Sequence, residues 1–377
     1  MKISKIKMFY VKIPLVFKFT HSSKERVSSS SLIVKIETDD GYCGYGEGTP
    51  RDYVTGESIA SSIAFFQDSI IPYLIYYEIE NLDSISSILK KIDEITNEQS
   101  NPSILCAIEL ALLDILGKRN NKPISGILFC NRSRAVNYSA VLPILPVDMF
   151  TKYLHMVKVK KIRYLKLKVG TDSDIDRLKS AREILGNDIN IRVDANEAWD
   201  IDEAIDKILA FERYHVSAVE QPIKKSDHNG LEMILRKVSV PLILDESLCN
   251  MSDAKLLREN ICTDNLIFNI RLSKCGGIFK SLKILDYANK HGVKSMLGCH
   301  VGETGILSAA GRHFAQSIDG LLFVEGSYSN LILEEDIINQ DLLFGDYGVG
   351  VPLVGPGLGV EVLGEKILKY AKGEITS

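Results

Sequence analysis

The stretch Tyr164-Leu165-Lys166-Leu167-Lys168 decides how this chain is read. Its texture is that of a short buried strand, and alternate residues of a strand share a face, so both lysines point the same way. Comparable runs recur downstream, each closed by a polar or charged residue. Asp194 follows Lys168 by 26 positions, Glu220 follows Asp194 by 26, Asp245 follows Glu220 by 25, and Arg271 follows Asp245 by 26. Such an interval holds one strand, one helix and their loops. The five side chains are therefore expected at equal heights around one mouth, at the carboxyl ends of parallel strands, where barrel enzymes carry their active sites.

Working outward, the strands of this β/α region are predicted at Asn137–Val141, Tyr164–Lys168, Ile189–Asp194, Ala218–Glu220, Leu242–Asp245, Leu266–Ile270, Lys294–Leu297 and Leu321–Val324. Helices fill the gaps, among them Ile175–Leu185 and Ile201–Tyr214. The pattern predicts an α/β fold, a parallel barrel over residues 131–344. Residues 1–130 read differently, as strands (Met1–Ile13, Ser31–Thr38, Gly44–Glu47) followed by helices, hence as a separate α+β domain. Within it Ile104–Leu116 is apolar nearly all round and is expected to be deeply buried. The glycine-rich segment 345–377 is expected to return to that first domain.

Composition excludes several classes. The balance of 45 basic and 49 acidic residues, with no long basic run, argues against a nucleic-acid partner. No apolar run approaches a membrane span, and the lysine-dotted start does not read as a signal peptide, so a cytoplasmic location is expected. The seven cysteines include no C-x-x-C pair, which fits reduced thiols better than a disulfide framework or a thiolate zinc site. Gly44-x-Gly46-x-Gly48 ends a strand without opening a helix and is not read as a dinucleotide site. Cys299 has no evident activating base and is read as a buried thiol.

The chemistry rests on the mouth residues. Asp194, Glu220 and Asp245 would repel one another, and a bound divalent ion relieves this; ligands that are all oxygen suit Mg2+, with Mn2+ as a substitute. Helix capping by each acid is the ordinary alternative. Lys166 and Lys168, close together and near such an ion, should have one amine with a lowered pKa, a usable base near neutral pH.

The ordered set Lys166-x-Lys168, Asp194-x-Asn196, Glu220-Gln221-Pro222 and Asp245-Glu246-Ser247 resembles the enolase superfamily, in particular its muconate-lactonizing (muconate cycloisomerase) and mandelate racemase-like family. Gly44-Tyr45-Gly46-Glu47, the helix through Gly117-Lys118, Gly276-Gly277 and Pro356-Gly357-Leu358-Gly359 extend the likeness over nearly the whole chain. The resemblance implies a modified TIM barrel, (β/α)7β, with an α+β capping domain built from both termini. It implies Asp194, Glu220 and Asp245 as magnesium ligands, Lys168 as the base that removes a proton α to a carboxylate, and Lys166 as its assistant. The stabilised intermediate would be an enediolate, a chemistry general for this superfamily. Asn196 and, on loops matching those that cover the substrate, Thr20, His21, Arg51 and Tyr53 would bind the small-molecule carboxylate. A homo-oligomer is expected.

One departure matters. Where the branch usually has a second lysine, at the end of strand six, this chain has Arg271, and a guanidinium does not give up its proton. Lys274, three residues on, is assigned to the following loop. His300 and Glu303 fall in the mouth of strand seven and Glu325 in that of strand eight, as a second acid, a substrate contact or structural groups. Arginine at 271 favours a one-base isomerase or lyase, cycloisomerase-like or dehydrating; an epimerase of dipeptides or amino-acid derivatives is the main rival. A Schiff-base aldolase using Lys168 would leave the three acids idle. A non-catalytic binding protein would have no use for the lysine pair.

Overall fold

The computed structural model describes residues 1–21, 24–95, 101–129, 133–261 and 263–377, with the side chains of 18–25 outside the description. Three strands of the N-terminal region, Ile3–His21, Lys24–Thr38 and Cys43–Gly48, form an antiparallel sheet. Its fourth, edge strand is Ala371–Thr376 from the other end of the chain, with Lys7 opposite Thr376. The tail thus joins this sheet by strand pairing after a short helix (Gly364–Tyr370). That last strand escapes the sequence pattern because, at an edge, only Ile375 among its residues is strongly apolar.

The helix Pro102–Arg119 lies on this sheet with fifteen of its residues buried, from Ser103 to Gly117. The glycines at 44, 46 and 48 explain how closely: a Cβ at Gly46 would sit 1.9 Å from the Ala107 carbonyl oxygen, and one at Gly48 2.0 Å from that of Ser103. The Gly-x-Gly-x-Gly run is thus a seat for a helix, which needs bare backbone.

The second sheet has eight parallel strands in sequence order: Ala140–Leu142, Tyr164–Lys168, Asn190–Asp194, Val216–Glu220, Leu242–Leu244, Leu266–Ile270, Lys294–Leu297 and Leu321–Val324. Between its two edges the Ser139 N–H donates to the Val324 carbonyl, so the sheet curls back on itself. The first strand differs from expectation. Instead of one run over 137–141, Val136–Asn137 pairs antiparallel with Val349–Gly350, and the chain then changes partners to begin the barrel at Ala140. Among the described residues no helix is long and apolar enough to cross a membrane.

Cap and barrel are joined by buried carboxylates set on helix starts. Glu47 accepts the N–H groups of Thr304 and Leu307 and the Thr304 hydroxyl, at the start of the helix Gly305–Ser317. Glu109 accepts the N–H groups of Ile278 and Phe279, at the start of the helix Ile278–Lys290. Helix N-termini present free N–H groups, the natural partners of a buried carboxyl group's oxygens.

Candidate active site

Strand register puts the chemistry side by side. Lys168 is level with Asp194, and Asp194 with Glu220, on three neighbouring strands. Asp245 follows the next strand, and Arg271 the one after. Lys168 and Arg271 thus close the second and sixth of eight strands, on opposite walls of the mouth.

All three acids are fully buried, and each is met by cations. Lys168 Nζ lies 2.6 Å from Asp194 Oδ2 and donates to Asn196 Oδ1 at 2.5 Å. Asn196 in turn donates through Nδ2 to Glu246 Oε1 at 3.1 Å. Lys166 Nζ is 3.1 Å from both Asp194 and Glu220, and 2.9 Å from Glu325. Arg271 Nη2 is paired with Asp245 and stands 3.6 Å from Glu220 Oε1.

Burial works against the Lys166 ammonium, but Glu220, Glu325 and Asp194 outweigh it, and its pKa lies well above the ordinary lysine value. Neighbouring carboxylates, not the other lysine, dominate its surroundings. Asp194 is held low against its own burial by Lys168 and Lys166. Glu220 is pushed up, first by burial and then by the charge of Asp194. His300 is driven far below the usual histidine range by burial and by Arg271, so its ring is neutral.

A cavity of about 290 Å³ opens here, with Lys166, Lys168, Asn196, Arg271, His300 and Glu325 in its wall. Tyr53 also lines it, its hydroxyl accepting from Arg26 Nη2 at 2.7 Å. His300 receives or gives a hydrogen bond at Nδ1 with Thr49 Oγ1, 2.8 Å away, while its buried Nε2 has no partner. Other expected residues lie outside this wall. Arg51 donates to the carbonyls of Ser30, Pro50 and Val301, tying the cap to the strand-seven loop. Glu303 sits behind His300, accepting its N–H at 2.6 Å. The side chains of Thr20 and His21 lie outside the described residues.

Several participants escaped the sequence reading. Lys274, assigned to a loop, is fully buried, and its Nζ clamps Asp245 at Oδ1 (2.8 Å) and at the carbonyl (2.7 Å). Its spacing of three from Arg271, just before Gly276-Gly277, places both on one turn of the short helix that starts there. Arg192 lies two residues before Asp194 on the same strand face, and pairs with Glu325; alternation alone could have found it. Glu246 was noted only as part of a motif, yet it lines the cavity with an unpartnered Oε2.

Does this donor set suit a divalent ion? Among the described residues no three His, Cys, Asp or Glu side chains are grouped to hold one in the arrangement seen. Lys166 stands between Asp194 and Glu220, and Arg271 between Glu220 and Asp245. The chemistry of the donors does fit: buried carboxylates at three adjacent strand ends, one with a raised pKa, beside the unpartnered Glu246 Oε2. Hard oxygen ligands without sulfur or imidazole suit Mg2+.

Comparison with known proteins agrees with this architecture. Residues 5–128 match the family described as "Mandelate racemase / muconate lactonizing enzyme, N-terminal domain", and residues 150–366 match "Enolase C-terminal domain-like". The chain is 31% identical over 370 residues to an N-succinyl-L-Arg/Lys racemase of Bacillus cereus, covering 96% of each. The crystal structure of the B. cereus N-succinyl Arg/Lys racemase superposes with a TM-score of 0.89 at 30% identity, covering 100% of both chains. A hydrophobic dipeptide epimerase of Enterococcus faecalis is 34% identical over 320 residues, 84% of this chain and 87% of that protein. The E. faecalis dipeptide epimerase crystallised with Mg and L-Leu-L-Tyr gives a TM-score of 0.86 at 30% identity, covering 96% of this chain and 100% of that one. These relatives are epimerases and racemases, which shifts the balance from the cycloisomerase expectation to its rival. With both halves of the chain matched and the fold in agreement, the chain belongs to the mandelate racemase / muconate lactonizing enzyme family of the enolase superfamily.

Proposed function

We propose that this protein is a magnesium-dependent epimerase or racemase of a small amino-acid derivative such as a dipeptide or N-acyl amino acid. In this reading Lys168 removes the proton α to the carboxylate from one face, and inversion is completed by a proton delivered to the other face. The observation that carries it is the placement of Lys168 Nζ in the cavity wall, fixed by Asn196 and Asp194. When bound at Asp194, Glu220 and Asp245, magnesium supplies a positive charge for the substrate carboxylate as negative charge develops there. Lys166 adds a second fixed cation beside it. The buried site keeps water from the reacting carbon, which strengthens each of these interactions.

On the opposite wall Arg271 stays protonated, because Asp245 and Glu220 hold its charge against burial. His300 next to it presents a neutral ring nitrogen without a protein partner, the group on that side able to take or pass a proton. A second reading, a one-base cycloisomerase or dehydratase, is favoured by Arg271 itself. Solvent deuterium exchange at the α-carbon separates the two. Label entering both enantiomers of a dipeptide supports the epimerase, and exchange confined to one enantiomer supports the one-base reading. Absence of exchange in a library of carboxylates, with magnesium present, would remove both.

A further inference from the structure

The cavity does not end at the lysines. It continues along the helix Val147–Val159 and just past it, where Met149, Tyr153, Met156 and Lys160 line its wall. Their spacing of four, three and four residues marks a single helical face. From Met149 to Lys160 this face runs about 16 Å at the rise of an α-helix. That helix starts beside the carboxyl end of the first barrel strand and finishes at the foot of the second, so the cavity runs from the mouth toward the opposite end of the barrel. The facing wall is the segment after strand eight, with Leu343 and Phe344 in the lining. This segment is pinned to the helix end by the Tyr347 N–H, which donates to the Lys160 carbonyl at 2.7 Å.

We infer that this channel holds an unbranched alkyl arm of the substrate, so that the substrate class is a carboxylate carrying a medium-length acyl or alkyl chain. The inference rests on the proposed function, in which the carboxylate end is held at Lys166 and Lys168. Continuity with that site decides which molecule enters. The wall decides its chemistry: among the described residues along this stretch the side-chain polar groups are the Tyr153 and Tyr328 hydroxyls and the Lys160 amine, and the Tyr328 hydroxyl already donates to the Ser139 carbonyl. A longer peptide would bury amide groups there without partners, which is costly, whereas a hydrocarbon chain needs none. Two apolar residues that line the cavity are also left in water, Met156 at 41% and Leu331 at 44% exposure. An alkyl arm would cover part of that surface.

The test is a calorimetric titration of the intact protein, with magnesium present, against N-acetyl-, N-hexanoyl- and N-decanoylalanine. Each methylene that enters the channel should tighten binding about fourfold. A gain of this kind, steep to hexanoyl and continuing toward decanoyl, supports the channel; affinity independent of chain length overturns it. Met156→Trp narrows the channel at a residue already open to solvent. It should lower the ratio of decanoyl to acetyl affinity at least tenfold, and an unchanged ratio counts against the assignment. Deuterium exchange on the same compounds reports on the proton chemistry separately. A failure of the proposed reaction and a failure of the channel are thereby told apart.

Discussion

Lys168 Nζ donates to Asn196 Oδ1 at 2.5 Å, and that amide is itself fixed by Glu246. Asn196 adopts a left-handed backbone conformation, φ 45°, to present its side chain this way. The proposed base is thus aimed by a residue two positions beyond the nearest acid. Asn196→Leu should lower kcat by about ten- to a hundredfold with a smaller change in KM, since a misplaced base is penalised in the transition state more than in binding. Lys168→Ala should lose about a thousandfold in α-proton exchange. Steady-state kinetics and NMR exchange rates on the purified variants check both. An Asn196→Leu enzyme with unaltered kcat would disconnect the amide from the base.

Arg271 faces Lys168 across the barrel with its charge locked by Asp245 and Glu220. Arg271→Lys puts a proton-exchanging amine on that wall. Deuterium uptake into the slower-exchanging enantiomer should rise at least tenfold, by the usual size of acid–base contributions. Equal or lower uptake would show that this wall does not face the α-carbon.

Lys274 is wholly buried and holds Asp245 through two contacts. Lys274→Met removes a partner from a buried anion and should cost about 3–5 kcal/mol of stability. Denaturant unfolding measures this. Arg271 remains on Asp245, so a loss far below that range would mean the guanidinium alone suffices.

Glu303 is pushed up to about 8, first by burial and further by the charge of Glu47, although the His300 N–H opposes this. Its folded-state pKa therefore lies above its unfolded one, and the folded protein holds a proton that the unfolded chain has released. From roughly pH 4.5 to about 8 its contribution to stability falls as pH rises, by about 1.4 kcal/mol per unit at most. Glu109, also raised to about 8 and chiefly by burial, acts in the same direction. Glu303→Gln should make the decline of stability over this window shallower in denaturant titrations at several pH values. A slope identical to that of the parent would place Glu303 in its ionised form throughout.

Magnesium should raise the melting temperature in a concentration-dependent way, because a ligand that binds only the folded state stabilises it by mass action, about 2.7 kcal/mol at a hundredfold excess over Kd. Chelation should abolish α-proton exchange, and Asp245→Asn should weaken the thermal shift. Exchange that persists in chelator would remove the metal from the reaction.

The barrel was legible because one interval, about 26 residues, repeats through Lys168, Asp194, Glu220, Asp245 and Arg271. Strand register then did what that spacing implied, setting Lys168 beside Asp194 and Asp194 beside Glu220. What stayed hidden depends on contacts between distant segments. The edge strand Ala371–Thr376 owes its form to pairing with residues near the N-terminus, and its own side chains carry little sign of it. Lys274 looks like a loop residue until the Asp245 carboxylate appears above it. Arg51 has the composition of a substrate clamp, but its guanidinium is committed to main-chain carbonyls. The raised pKa of Lys166 follows from Glu220 in the repeat and then from Glu325, more than 150 positions away.

Glu47 and Glu109 fasten the N-terminal sheet and its helix to two barrel helices by main-chain hydrogen bonds at helix starts. Neither attachment involves the surface segments that carry Arg26 and Tyr53 over the cavity. The Tyr53 segment nevertheless reaches the barrel on its own, because Arg51 donates to the Val301 carbonyl and Lys225 to that of Val54. Loops grafted over the cavity from a related protein would therefore have to keep these two contacts, while the Glu47 and Glu109 joins could be left untouched.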